Sequence, residues 1–214
     1  MASTILLTAF GPFPGARFNP TGALVKQLAA RQRLRLSAAK VVTHVFHTSY
    51  ADVDSKLSAL ISEHCPDIVL MFGLAARTPH LRIETRAANR ISAFVPDASG
   101  KIRTTARIRP DGPDMLRGRA PFQTLAVALR RAGMQAKLSR DAGAYLCNYA
   151  YWQALEEMPR AHRPALVLFV HVPQLMNRRP VRKRAQARRH TAEDFVRAGE
   201  IVLRGLMAAA RSRR

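Results

Sequence analysis

The sequence predicts an α/β fold: a single domain with a mostly parallel twisted sheet, helices on both faces and a β-hairpin excursion. Three observations predict it. Strand-like and helix-like stretches alternate along most of the 214 residues, as in a sheet layered between helices. The runs Asp67–Gly73 and Ala165–His171 are apolar almost throughout instead of alternating, which is how strands covered on both faces read. Ahead of the first of these runs, apolar residues recur at helical spacing, as at Val53, Leu57, Leu60 and Ile61. The length fits one domain over residues 1–214.

Taken in order, Thr4–Phe10 is a short apolar strand that ends in the breaker-rich loop Gly11-Pro12-Phe13-Pro14-Gly15. Asn19 followed by Pro20 is a helix start, with asparagine at the cap and proline in the first turn. That helix runs to about Arg31. Lys40–His47 reads as a second strand, and a helix follows from Asp52 to His64. Cys65 closes that helix just before Pro66 and is read as structural. After the strand Asp67–Gly73 the pattern changes. Leu81–Val95 and Lys101–Ile108 read as extended arms joined at the turn Asp97-Ala98-Ser99-Gly100. Pro121–Arg131 is a helix closed by Gly133. A short strand over Met134–Leu138 leads to a helix from about Asn148 to Glu157. The strand ending at His171 comes next, and a last helix runs from Thr191 to about Arg211. Thr191 and Asp194 form its capping box; Phe195, Val202, Leu206 and Met207 mark its buried stripe. Between them, Arg178–Arg189 holds seven Lys or Arg in twelve residues with no apolar period. A mobile basic segment is expected over 178–190.

Thirty-five Lys and Arg against fourteen Asp and Glu give a formal charge of +21. A field of that sign attracts polyanions without specifying one. The basic residues are not interleaved with aromatics, as single-strand binding requires, so nucleic acid is expected only as a non-specific partner. No apolar run approaches the ~18 residues of a membrane span. The stretch Met1–Leu7 lacks the basic start of a signal peptide. The two cysteines, Cys65 and Cys147, have no metal spacing and make no disulfide framework. A reducing cytoplasmic location is expected.

In sheets of this kind ligands sit beyond the carboxyl ends of the strands. Phe10 and Gly11 follow the first strand, Gly73 ends the third, His171 ends the late one, and Cys147 opens a helix. All four pieces fall on one rim. At the first turn of a helix, unpaired N–H groups and the helix dipole favour an anion, and a thiol there ionises more readily. A cysteine nucleophile needs a base in reach and a group to orient it. His171, held at a strand end, is the best base, and Glu84 in Ile83-Glu84-Thr85 is the most conspicuous orienting carboxylate. Spacing alone leaves other readings open: a buried small hydrophobe for Cys147, a satisfied polar residue for His171 and a surface carboxylate for Glu84.

Four segments resemble the pyroglutamyl peptidase type I family, also called pyrrolidone-carboxylate peptidase. They are Leu7–Phe13 with Asn19-Pro20-Thr21, Ile83-Glu84 through Asn89, Ala142–Asn148, and Phe169-Val170-His171-Val172-Pro173. Their order and spacing agree with the family from residue 5 to about 175. The resemblance implies a cysteine-type omega-peptidase that removes an N-terminal 5-oxoproline from peptides. It implies Cys147 as nucleophile, His171 as base and Glu84 as its orienting partner, with no metal and no cofactor. Phe10 and Phe13 would hold the lactam, supported by Asn19, with Leu74 and Leu146 beside them. A homo-oligomer, a tetramer in the family, is implied as well. The chain also departs from the family. Ala76 stands in the loop Gly73-Leu74-Ala75-Ala76-Arg77 where the family commonly carries glycine, and Phe94 stands where many members carry an arginine before the Pro-Asp turn. The second departure removes a charge expected near Glu84. Two other readings keep the fold: a thiol-dependent hydrolase of another acyl or amide substrate, and a catalytically weak relative that holds polyanions on its basic surface.

Overall fold

The computed structural model describes residues 3–35, 39–160, 166–175 and 190–213. Among these, six strands form one sheet. Its order is β2 (Ala39–Phe46), β1 (Ser3–Phe10), β3 (Ile68–Leu74), β8 (Leu166–Val172), β4 (Leu81–Glu84) and β7 (Ala136–Ser139). β1 pairs in parallel with β2 and β3, and β3 with β8. β4 lies antiparallel to β8 and parallel to β7. The sheet is thus two blocks of opposite direction that meet at the seam between β8 and β4.

The packing follows from the strand patterns. β3 and β8 are buried at every position, as their unbroken apolar runs predict. β1 divides its side chains by alternation: Ile5, Leu7 and Ala9 enter one core, Leu6 and Phe10 the other. The first core is closed by α1 (Thr21–Arg35), α3 (Phe122–Arg131) and α5 (Ala192–Arg211). The second is closed by α2 (Tyr50–His64) and α4 (Leu146–Arg160). Fully enclosed side chains such as Trp152, Tyr151, Phe169 and Phe195 anchor the two layers, each large apolar group contributing about 1.5–3 kcal/mol.

Helix ends obey local chemistry. The Asn19 carboxamide accepts from Thr21 N at 3.1 Å, ahead of α1. Ser49 caps α2 by accepting from Asp52 N. Cys65 ends that helix in the left-handed conformation, φ 42°, its N–H donated to Ile61 O; the residue is exposed and its thiol is free. Thr191 and Asp194 form a complete capping box on α5.

The excursion is paired differently from the sequence expectation. Its ribbon joins β5 (Arg86–Ala88) to β6 (Met115–Arg117), antiparallel. Lys101–Ile108 carries no strand. The expected first arm is taken by the main sheet as β4, and side chains replace ladder bonds beyond it. Asn89 accepts from Arg109 N and donates to Arg109 O and Pro113 O. The expected turn is organised by the buried Asp97 carboxylate, which accepts from Tyr50 N at 3.0 Å, Ser99 N at 2.9 Å and Lys101 N at 3.0 Å. The basic stretch Arg178–Arg189 lies outside the described residues.

Candidate active site

His171 is the centre of the site. It occupies the last turn of the pleat in β8, in register with Gly73 on one side and Arg82 on the other. Successive residues of a strand alternate faces, so Phe169 and His171 share a face, as do Arg82 and Glu84 on β4. The Phe169 and His171 rings are 4.8 Å apart. Across the seam, His171 Nδ1 is 2.8 Å from Glu84 Oε1. Glu84 is wholly buried and His171 nearly so.

Cys147 reaches the same ring from the helical layer. Tyr145 O accepts from Tyr149 N, so Cys147 is the second residue of α4, within the turn whose N–H groups lack intrahelical acceptors. Its thiol lines the same pocket as His171 and is near enough to act on the charge of the ring. Burial pulls the His171 pKa down; the charge of Cys147, then the hydrogen bond and charge of Glu84, outweigh it and raise the ring to about 9. At neutral pH the imidazole therefore holds both protons.

Close packing fixes the sulfur. A β-carbon at Gly73 would stand 2.7 Å from Cys147 Sγ and 2.8 Å from the Phe169 ring, so only glycine lets β3 pass beneath the thiol. Asn148, fully buried, accepts from Ala88 N at 2.8 Å and donates to Ala88 O at 2.8 Å and Arg90 O at 3.1 Å. The start of α4 is thereby fastened to the ribbon. The turn before it needs Gly143 at φ 90°.

A pocket of about 410 Å³ opens in front of Cys147 and His171, within the range of small-molecule sites. Phe10, Phe13, Asn19, Leu74 and Leu146 all line it. Glu84 does not; it stands behind the histidine. Asn19 spends its amide on the loop, donating to Gly11 O at 3.0 Å. Ala76, one of the departures, is an exposed residue of the pocket wall.

Sequence reasoning missed four contributors. Thr48 also donates to Gly11 O, at 2.9 Å, so two side chains hold the carbonyl beside Phe10. Tyr145 faces Phe13 at 6.1 Å between ring centroids and donates to Pro96 O. Burial first, then Tyr50, Asp97 and Cys147, push its phenol up to about 12, so it stays a neutral donor. Arg77 lines the mouth of the pocket. Arg82 places its Nε 3.1 Å from Glu84 Oε1. The last corrects an expectation: Phe94 is 89% exposed, and the cation beside Glu84 comes from Arg82. The strand period gives the missed signal, since a residue two before Glu84 must share its face. Among the described residues no three His, Cys, Asp or Glu gather as a metal-binding group.

Comparison with known proteins points one way. A family model described as pyroglutamyl peptidase matches residues 3–202. The pyrrolidone-carboxylate peptidase of Bacillus licheniformis is 32% identical over 176 residues, 82% of this chain and 80% of the relative. That of Pyrococcus furiosus is 31% identical over 171 residues, 80% of this chain and 81% of the relative. Among solved structures, the pyrrolidone carboxyl peptidase from Thermococcus litoralis superposes with a TM-score of 0.86 at 28% identity, covering 100% of this chain and 97% of that one.

Proposed function

The chain belongs to the pyroglutamyl peptidase family, and from that premise we propose that Cys147, His171 and Glu84 are the groups with which it removes an N-terminal pyroglutamyl residue from peptides. The observation that carries the assignment is the position of one imidazole, hydrogen-bonded to a buried carboxylate and sharing a pocket with the Cys147 thiol.

In this reading the Cys147 sulfur, ionised beside a protonated His171, attacks the pyroglutamyl carbonyl carbon. The carbonyl electrons move to oxygen, where the N–H of Cys147 at the helix start is a natural donor. As the C–N bond breaks, His171 delivers its proton to the leaving amine. Water then attacks the thioester, His171 takes the water's proton, and pyroglutamate leaves as the sulfur regains its charge. Glu84 Oε1 holds the ring by Nδ1 throughout and stabilises its charge. The neutral lactam fits a wall made by Phe10, Phe13, Leu74 and Leu146, with the loop braced by Asn19.

The same reading has the enzyme acting on pyroglutamylated peptides in the cytoplasm, where both free cysteines suit a reducing medium, and assembling as a homo-oligomer. Among the described residues no helix is long and apolar enough to cross a membrane. Nucleic acid binding driven by the +21 charge disappears at moderate salt.

The test is release of aminocoumarin from a pyroglutamyl-aminocoumarin amide. Wild-type protein turns it over and Cys147→Ala does not. Inert wild-type protein with an alkylatable Cys147 would overturn the substrate assignment in favour of another acyl or amide substrate.

A further inference from the structure

We infer that Arg82 is a positioning residue for this reaction: it keeps the Glu84 carboxylate charged and aimed at His171, and ties it to the loop that carries Cys147. The inference rests on the catalytic reading of Cys147, His171 and Glu84 given above.

The geometry sets this arginine apart from a surface ion pair. Glu84 is fully buried, and the Arg82 side chain is 23% exposed. Both Arg82 Nε and His171 Nδ1 converge on the same oxygen, Oε1, at 3.1 and 2.8 Å. Glu84 Oε2 has no hydrogen-bond partner among the described residues. A buried carboxylate with one oxygen unpaired is expensive to keep ionised. A guanidinium, always charged and ion-paired with the other oxygen at 3.1 Å, offsets that expense. It also opposes rotation, because turning the carboxylate breaks the His171 hydrogen bond and the Arg82 ion pair together.

The other end of Arg82 is anchored where the nucleophile segment begins. Its Nη2 donates to Ser139 Oγ at 2.8 Å and to Asp141 O. Ser139 is the β7 residue in register with Glu84. Asp141 opens the turn through Gly143 to Cys147 and, like Arg82, lines the pocket. One planar group therefore spans the orienting carboxylate and the approach to the sulfur. The charged or titratable groups around Glu84 are His171 from β8, Arg82 from its own strand, and Tyr151 from α4. Tyr151 donates to the Glu84 main-chain oxygen, and burial keeps its phenol neutral.

The experiment compares pH profiles of kcat/KM for wild type, Arg82→Gln and Arg82→Lys on the pyroglutamyl-aminocoumarin amide. Loss of the cation disfavours the charged form of the carboxylate that aims His171. In Arg82→Gln, kcat falls about tenfold or more with KM within about twofold, and the acid limb moves up by about one pH unit. Arg82→Lys returns the limb to its wild-type position and recovers part of kcat, since a point charge replaces the cation without the fork. A folded Arg82→Gln with an unmoved acid limb overturns the inference, as does Arg82→Lys matching Arg82→Gln. If Arg82→Gln does not fold, Arg82→Lys alone decides: a displaced acid limb overturns the inference and an unmoved limb with reduced kcat supports it. Inert wild type, or activity retained by Cys147→Ala, would instead remove the underlying catalytic reading.

Discussion

Gly73 lies directly beneath the sulfur of Cys147: a β-carbon added there would stand 2.7 Å away. Gly73→Ala must therefore push the nucleophile or the Phe169 ring aside. Displacement of a reacting group by about 1 Å can lower turnover by about a hundredfold. The expected outcome is a fall in kcat of about ten- to a hundredfold together with a stability loss of about 1–3 kcal/mol from overpacking, read by steady-state kinetics and calorimetry. Wild-type kcat in this variant would show that the site absorbs the methyl group without moving the thiol.

The alkaline limb of activity belongs to His171. Its proton is held up to about 9, above the ordinary histidine value, so activity that requires the charged ring is present at neutral pH and lost as pH rises through about 9. Glu84 contributes to that upward shift. Glu84→Gln keeps the shape and removes the charge, so the limb moves to lower pH and kcat falls by about a hundredfold or more. A kcat/KM profile from pH 6 to about 10 checks both. An alkaline limb that stays in place in Glu84→Gln would contradict the role given to the carboxylate.

Phe13 is half-buried, at the mouth of the pocket against Tyr145. Covering it with substrate is worth about 1.5–3 kcal/mol. Phe13→Ala is expected to raise KM for the coumarin substrate by about tenfold or more, with kcat changed less. An equal loss in kcat and kcat/KM would place the ring in the transition state instead.

Asp97 holds a loop by three backbone N–H bonds while fully buried. Asp97→Ala strands those donors, at about 2–4 kcal/mol. The loop also carries Pro96 O, the acceptor for Tyr145, so KM should rise along with the loss of stability. Urea unfolding and kinetics on the same preparation measure the two together. Lost stability with an unchanged KM would separate the loop from the pocket.

Much of this was legible before any coordinates. The unbroken apolar runs of β3 and β8 announced doubly covered strands, and strand-end logic brought Phe10, Gly73, His171 and Cys147 to one rim. Glu84 was not reachable that way. It enters from β4, antiparallel to its neighbour β8, so the rule about carboxyl ends does not apply to it; it stood out only as a carboxylate in an extended stretch, and the resemblance supplied its role. Arg82 shares the face of Glu84 by the strand period, but its meaning depends on β4 lying beside β8, a pairing the sequence does not show. The excursion was misread because Asn89 and Asp97 satisfy the backbone with side chains, leaving extended-looking sequence without a ladder.

Asn148 gives the ribbon a purpose that its size hides. The residue next to the nucleophile grips Ala88 and Arg90 much as a neighbouring strand would. The short ribbon at Arg86–Ala88 and Met115–Arg117 lies outside the main sheet, yet it is the mooring for the end of α4 that carries the sulfur. Damage to that small appendage should silence the enzyme while its large central sheet stays intact, so chemical function would be surrendered well before the molecule melts.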